Sequence, residues 1–257
     1  MLLSLDYLIK KYNLKITGIS HFGAHLGQEI TSYKKNNLNN IHLFEPQKKI
    51  FEQLKSANEN IDGLNFYNFG LGEANHKTIL NLDTHESQSS SILTPKDHLK
   101  LHPQIKFEGT EEILIKRYDE LDIKNVNFLN IDIQGYELKA LSGSVKILQD
   151  IKYIYTEVNS VEVYAECVLI KDLDKFLIDY NFVRVKTKWF DNLAWGDAFY
   201  IKRDLISTKN YFISRFKNFI FKLYIMKYLE KYISKFYISI NKFVYEKKQK
   251  IKKIIKN

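Results

Sequence analysis

The sequence predicts an α/β domain built on a mainly parallel sheet, followed by a helical extension. Three observations carry this. Apolar runs bounded by turn residues alternate with helix-like stretches, the pattern of strands joined by crossover helices. Two of those runs end in glycine-bearing or acidic turns, HFGAHLGQE at 21–29 and LFEP at 43–46. The charge then changes sharply near Leu205, which divides the chain into a domain (1–204) and a tail (205–257).

In chain order, MLLSLDYLIKKYNLK spaces its apolar residues for a helix and is interrupted by Asp6. It lacks the basic start and long apolar centre of a signal peptide, so a short amphipathic helix on the edge of the domain is expected. Strands are expected near 15–20, 41–45, 64–69, 126–132, 152–158, 182–187 and 197–202, with helices at 27–36, 47–58, 137–148 and 170–180. FVRVKTKWF and WGDAFYIKR read as a hairpin closing the sheet. Segments 77–83 and 111–117 read as extra short strands flanking THESQSSSILTPKDHLKLHPQ. That stretch holds two of the three prolines. A loop this long inside a domain is functional or disordered. Ile92, Leu93, Leu99 and Leu101 give it something to pack with, which favours a lid or substrate loop.

The 257 residues are 45% hydrophobic and 27% charged, enough for one α/β domain with something appended. Cys167 stands alone, so no internal disulfide forms and a reducing, cytoplasmic setting is expected. No Cys/His spacing of the zinc type occurs, and no metal is expected. The net charge of +9 is misleading until mapped. Residues 205–257 hold 14 Lys and Arg against 2 Asp and Glu, leaving 25 basic and 28 acidic residues in the body. The body lacks the basic stripe of a nucleic-acid-binding domain, so no nucleic-acid partner is expected.

In a parallel sheet, ligands sit at the carboxyl ends of the strands. Ser20 to His25, Glu45, Asn68 to Gly70, Asp132 to Gly135 and Glu157 to Asn159 would converge there. Gly23 and Gly27 stand four apart with Ala24 between them. A dinucleotide fingerprint needs three closely spaced glycines for its pyrophosphate, and no triphosphate loop is present. A looser turn followed by Glu45, about twenty residues on, suits S-adenosylmethionine better than a dinucleotide, because its sulfonium and amino acid end replace phosphates. An ordinary strand-to-helix turn stays open as well.

From about Ile16 to Arg203 the chain resembles the FkbM-type methyltransferases. The matching pieces stand in order: HFGAHLGQE, LFEP, NFGLGE at 68–73, the serines 89–91, FLNIDIQGYELKALSG at 128–143, TEVN at 156–159 and GDAFYI at 196–201. The D-x-Q-G-x-E core, Asp132, Gln134, Gly135 and Glu137, is the most specific. The resemblance implies a seven-stranded methyltransferase sheet and S-adenosylmethionine-dependent methylation of hydroxyl groups on sugars and natural products. The family usually has Asp at the end of its first strand and often Lys before its second acidic motif. This chain has His21 and Asn130 there.

On that resemblance Gly23, Ala24 and Gly27 would hold the amino acid end of the cofactor, with His25 beside them. Glu45 would bind the ribose, and Asn68 and Phe69 would lie by the adenine. For Glu45 the competing reading is a helix-start carboxylate before Pro46, and for Phe69 simple core. Methyl transfer to an alcohol needs a group near the acceptor to take its proton. Asp132, at the end of an apolar strand where an unpartnered charge is costly, is the first candidate for catalysis and for cofactor contact. His21 and His25 stand behind it, and Glu157 would face the acceptor.

The tail from Asn210 to Asn257 lacks Pro and Gly, so it reads as one helix. Lys217, Lys227, Lys231, Lys235, Lys242, Lys253 and Lys256 fall on one quarter of a helical wheel, and Phe, Ile, Leu and Tyr fill much of the rest. Too many lysines interrupt it to span a bilayer. It would lie on an anionic membrane surface, or pack on the body or a second subunit of an oligomer. The sequence thus predicts a cytoplasmic O-methyltransferase, peripheral on the membrane, with a small-molecule or glycan acceptor. The alternatives are methylation of a small metabolite or lipid, and a catalytically silent nucleoside-binding module of the same fold.

Overall fold

The strands of the computed structural model are, along the chain, β1 (Ile19–Phe22), β2 (Ile41–Phe44), β3 (Leu64–Tyr67), β4 (Gly70–Leu71), β5 (His76–Asp83), β6 (Phe107–Lys116), β7 (Phe128–Ile131), β8 (Tyr153–Asn159), β9 (Phe182–Trp189) and β10 (Trp195–Lys202). The described residues are 1–84, 89–96, 105–190, 193–216 and 218–220. Seven strands form one sheet in the order β3-β2-β1-β7-β8-β10-β9. The pairs from β3 through β8 are parallel, and β10 runs antiparallel between β8 and β9. This is the seven-stranded, mainly parallel α/β fold that the sequence implies. β1 and β7 sit at its centre with every residue buried.

The central strand is shorter at its start than 15–20 and runs on to Phe22. The Asn127 side chain accepts from the Thr17 amide (3.0 Å) and donates to the Lys15 carbonyl (2.8 Å), so these residues bond a side chain before ladder pairing begins at Ile19. His21 therefore lies inside the strand, its register partner on β7 being Asn130.

Helices α1 (Leu5–Tyr12), α2 (Ile30–Lys35), α3 (Lys48–Asn58), α4 (Glu137–Ser142) and α5 (Ile170–Asp179) connect or flank the strands. α1 is capped by Ser4, whose hydroxyl accepts from the Tyr7 amide, and stops at Asn13 in the left-handed region (φ 49°). It buries Leu5 and Leu8. α2 starts three residues later than 27–36, because Gly27 has φ +80° and ends a turn there. α4 ends at Ser142, well before 148. At the following Gly143 a Cβ would stand 1.9 Å from the Gly72 carbonyl oxygen, so that close crossing admits only glycine.

Behind the carboxyl ends of β1 to β3 lies an aromatic cluster. Phe44 stacks on Tyr67 (4.6 Å between ring centroids), and Phe22, Phe69 and Tyr118 surround Phe44 at 5.6–5.9 Å. Truncating a ring buried like Phe44 would cost about 3–5 kcal/mol. The segments expected at 77–83 and 111–117 form β5 and β6, and β6 also pairs with β4, giving a separate three-stranded sheet. Part of the long loop, 85–88 and 97–104, lies outside the described residues. Its described part is anchored by an Asn81–Ser91 bridge.

The chain divides at Ser207 and Thr208 into two units. In the second, 208–216 and 218–220 are helical, and Phe212, Phe216 and Phe219 are exposed. Most of the expected tail helix, from 221 on, lies outside the described residues, and so does every lysine of its expected basic face, Lys217 included.

Candidate active site

The carboxyl ends of β1, β2, β7 and β8 open onto a cavity of about 570 Å³, within the ordinary range for small-molecule sites. Its position follows from one close approach. Gly23 has φ +80°, and a Cβ there would lie 2.0 Å from the Asp132 carbonyl oxygen. The turn after β1 can therefore lie against the turn after β7 only with glycine at this point. The Asp132 amide donates to the Phe22 carbonyl at 3.0 Å and fixes the two turns together.

Of the residues singled out in the sequence, His21, Gly23, His25, Glu45, Asp132 and Glu157 line the cavity. Ala24, Gly27, Asn68 and Phe69 do not. The amides of Gly23 and Ala24 both donate to the Phe44 carbonyl (3.0 and 2.9 Å), and that of Gly27 donates to the Ala24 carbonyl (2.8 Å). These turn amides are thus committed to the protein itself. At Gly27 a Cβ would meet Ile30 Cδ1 at 2.5 Å and Leu54 Cδ1 at 2.8 Å, so this glycine serves the packing of α2 on α3. Asn68 donates to the carbonyls of Glu45 (2.9 Å) and Pro46 (3.1 Å), which positions the turn that carries Glu45. Phe69 belongs to the aromatic cluster, with Lys116 Nζ over its ring at 4.5 Å.

Glu45 is buried, and its two oxygens accept from the amides of His25 (3.0 Å) and Gln47 (2.8 Å). Each oxygen keeps one lone pair for a further donor. Burial pushes its pKa from 4.5 up to about 7, against the pull of those two amides. His25 has φ 46°, and its Nδ1 lies 3.0 Å from the side-chain Nε2 of Gln28 beside the same cavity.

The two departures from the family pattern form one network. Tyr33 Oη accepts from Asn130 Nδ2 (2.7 Å) and lies 3.2 Å from His21 Nδ1. With its oxygen receiving from Asn130, the Tyr33 hydroxyl donates to Nδ1, which leaves the His21 proton on Nε2. Burial holds the imidazole below its usual pKa, although Glu29 and Asp132 pull the other way. A neutral His21 with Nδ1 occupied is a hydrogen-bond donor toward a ligand.

Asp132 is exposed to the cavity, whereas Glu157 is buried. Gln134 Nε2 bridges them, 2.9 Å from Asp132 Oδ1 and 3.0 Å from Glu157 Oε2. Burial first, then the negative charges of Asp132 and Glu137, push Glu157 well above the ordinary carboxylate range. Glu137 is fully buried. It orders the turn by accepting from the amides of Gly135 (3.0 Å) and Ile133 (3.3 Å).

Sequence reasoning missed Asp197, which faces Glu157 across the β8–β10 ladder and lines the cavity. Tyr155 donates to its carboxylate, as does the Leu2 amide, and burial raises it to about 6. The signal was present in GDAFYI, where an acid interrupts an apolar strand as Asp132 does. Glu29 gave no signal, since only the fold turns α2's leading carboxylate toward the cavity. Among the described lining residues the cavity carries five carboxyl side chains, Glu29, Glu45, Asp132, Glu157 and Asp197, and no Lys or Arg.

Comparison with known proteins agrees with this geometry. The family model of the methyltransferase FkbM domain matches residues 21–184. The chain belongs to the FkbM methyltransferase domain family. Within this family's span lie both cavity turns and every strand of the parallel part of the sheet except the first two residues of β1. The 2-O-methyltransferase NoeI of Sinorhizobium fredii is 24% identical over 138 residues, 48% of this chain and 55% of that protein. The FkbM chain thus aligns with about half the length of that relative. The crystal structure of methyltransferase FkbM from Methylobacillus flagellatus KT superposes with a TM-score of 0.50 at 13% identity, over 72% of this chain and 43% of that one. This similarity concerns the fold.

Two outcomes are expected. Gly27→Ala should destabilise the protein by about 1–3 kcal/mol, through a left-handed alanine and a clash with Ile30 and Leu54, while leaving cofactor affinity of the folded protein unchanged. Urea unfolding and calorimetric titration read the two separately. The second concerns pH. Glu45 titrates at about 7 when folded against 4.5 ordinarily, and Asp197 at about 6 against 3.8. Across this window the folded state holds protons that the unfolded chain has released, so stability falls as pH rises, by up to ~1.4 kcal/mol per pH unit per group. Thermal unfolding of the ligand-free protein should show Tm dropping between pH 5 and 7.5. The shift caused by a cationic ligand should grow over the same range.

Proposed function

We propose that the protein is an S-adenosylmethionine-dependent O-methyltransferase that methylates a hydroxyl of a saccharide or glycan. The observation that carries this reading is a cavity whose described lining holds five carboxyl side chains against no Lys or Arg, the Met1 amino group there being paired with Glu29, placed at the turns of a methyltransferase-family fold. Such a cavity favours a ligand of net positive charge and disfavours the phosphates of a dinucleotide. When bound, S-adenosylmethionine supplies an electrophilic methyl group on a sulfonium whose sulfur leaves with the bonding electron pair.

The residues divide the remaining work. Glu45 would take the ribose hydroxyls on its two remaining lone pairs, and these donors favour its charged form against burial. His25 and Gln28 line the cavity beside it and would meet the cofactor's amino acid end. Asp132 would accept the acceptor's hydroxyl proton as the C–O bond forms, and its exposure gives that proton a way out to water. Glu157, pushed above the ordinary carboxylate range beside Asp132, would donate to it when protonated and so stabilise its charge. His21, as an Nε2–H donor, would orient the acceptor or cofactor. Transfer to oxygen is supported by the 2-O-methyltransferase relative, and the saccharide acceptor by the habit of the family that the sequence resembles.

Glu45→Ala should weaken S-adenosylmethionine binding ten- to a hundredfold, about 1.5–3 kcal/mol for lost charged hydrogen bonds. Asp132→Asn should lower methyl transfer to a saccharide panel at least ~100-fold with cofactor binding kept. Calorimetry and labelled-methyl incorporation measure these. Unchanged affinity in the first variant, or near-normal turnover in the second, would overturn the respective role.

A second proposal concerns location. We infer peripheral attachment to an anionic membrane through the tail, on the sequence pattern of 210–257 and the exposed Phe212, Phe216 and Phe219 of its described part. No helix among the described residues is long and apolar enough to cross a membrane. Full-length protein should sediment with phosphatidylserine vesicles at low salt and release as salt rises, and deletion of 205–257 should abolish this. Aggregation of the truncated protein without lipid would point instead to a face that packs on protein.

A further inference from the structure

We propose that Tyr164 is a positioning residue for methyl transfer, acting through Gln134 to hold the Asp132 and Glu157 carboxyls together with Asp132 open to the acceptor. The proposal rests on the methyltransferase reading above and adds a residue to it. Tyr164 is fully buried and does not line the cavity, so it works at one remove from the reacting atoms.

Gln134 is a switch with two settings, because its amide can be turned end for end. In the observed setting both N–H bonds of Nε2 are used, one toward Asp132 Oδ1 at 2.9 Å and one toward Glu157 Oε2 at 3.0 Å. Its Oε1 accepts from Tyr164 Oη at 2.9 Å. Turned over, the amide would place its carbonyl oxygen against two carboxyl oxygens. Tyr164 is what fixes the choice from the other side, since its hydroxyl proton is available to an oxygen. That hydroxyl remains a donor at any working pH, because burial first and then the charges of Glu157 and Asp132 keep it from ionising.

The surroundings hold this arrangement from two further directions. Gln134 itself sits in the left-handed region at φ 55°, a conformation that costs a non-glycine residue on the order of 1 kcal/mol. The Ser91 hydroxyl donates to the Gln134 carbonyl at 2.8 Å and stabilises that backbone. Tyr164 Oη also lies 2.9 Å from the Ser89 carbonyl, so its proton is shared between the serine segment and Gln134. The serines 89–91, which the roles assigned above leave unused, are thereby tied to the carboxyl pair. Ser89 and Ser90 line the cavity beside them.

Removing the hydroxyl frees the amide to turn, and the carboxyl pair then loses its bridging donors. A carboxylate that loses an N–H donor holds its proton more tightly. The other ionisable groups acting on the pair are Glu137 at the start of α4, Asp197 on β10, His21 on β1, Tyr155 on β8 and the Met1 amino group. None of these is touched by the substitution.

The test uses full-length protein labelled with 13C at Asp and Glu carboxyls and saturated with S-adenosylhomocysteine, its signals assigned through Asp132→Asn and Glu157→Gln. Tyr164→Phe should move the titration of the Asp132–Glu157 pair up by about half a pH unit or more, leaving Glu45 in place. It should also shift the Gln134 side-chain amide resonances. Affinity for S-adenosylhomocysteine should stay within about twofold. Gln134→Met, which keeps the length and removes both donors, should reproduce the carboxyl shift and serves if Tyr164→Phe does not fold. A pair that titrates as in the wild type in either folded variant overturns the positioning role. Failure of the wild type to bind S-adenosylhomocysteine would instead sink the methyltransferase reading on which the proposal stands.

Discussion

Two turns meet where the Gly23 backbone lies against the Asp132 carbonyl, and the rest of the site depends on that contact. With no room for a Cβ, the chain leaving β1 crosses directly over the chain leaving β7. The crossing sets Asp132 at the cavity mouth and places His25 where its amide reaches Glu45 on the neighbouring strand end. Beneath it, the register pair His21 and Asn130 is joined by Tyr33 into a neutral hydrogen-bonded chain. The two departures from the family pattern are thus one linked change. Buried polar groups in such a chain are satisfied together or not at all.

The electrostatics of the cavity follow from placing carboxyls at the ends of buried strands. Glu45, Glu157 and Asp197 are each pushed upward chiefly by burial, and for Glu157 and Asp197 the charge of Asp132 adds to the effect. A folded state that concentrates acids in this way gives up stability near neutral pH. A cation entering the cavity recovers part of it, because it favours the charged forms. Function and stability are therefore coupled through the same side chains, a common feature of sites whose pKa values are displaced.

Much of this was legible in the sequence because strand and helix periods differ and because acids at the ends of apolar runs are costly unless they have a partner. The alternation gave the sheet, and the D-x-Q-G-x-E turn pointed to Asp132. Glu45 stood out because LFEP ends a buried run. What stayed hidden depended on contacts between distant segments. The start of β1 is set by the Asn127 side chain, more than a hundred residues away in sequence from Thr17. Gly27 looked like part of a ligand turn, yet the space beside it is filled by Ile30 and Leu54. Asp197 carried the same signal as Asp132, but only the antiparallel insertion of β10 beside β8 brings it opposite Glu157. The Tyr164–Gln134 contact spans 30 residues and has no local signature.

The most direct test of the account is a crystal structure of the full chain with S-adenosylhomocysteine bound. The account predicts the ribose hydroxyls on the free lone pairs of Glu45, the sulfur facing the side of the cavity that holds Asp132, and the Gln134 bridge unchanged. A ligand bound elsewhere, or one in this cavity whose ribose makes no contact with Glu45, would contradict it.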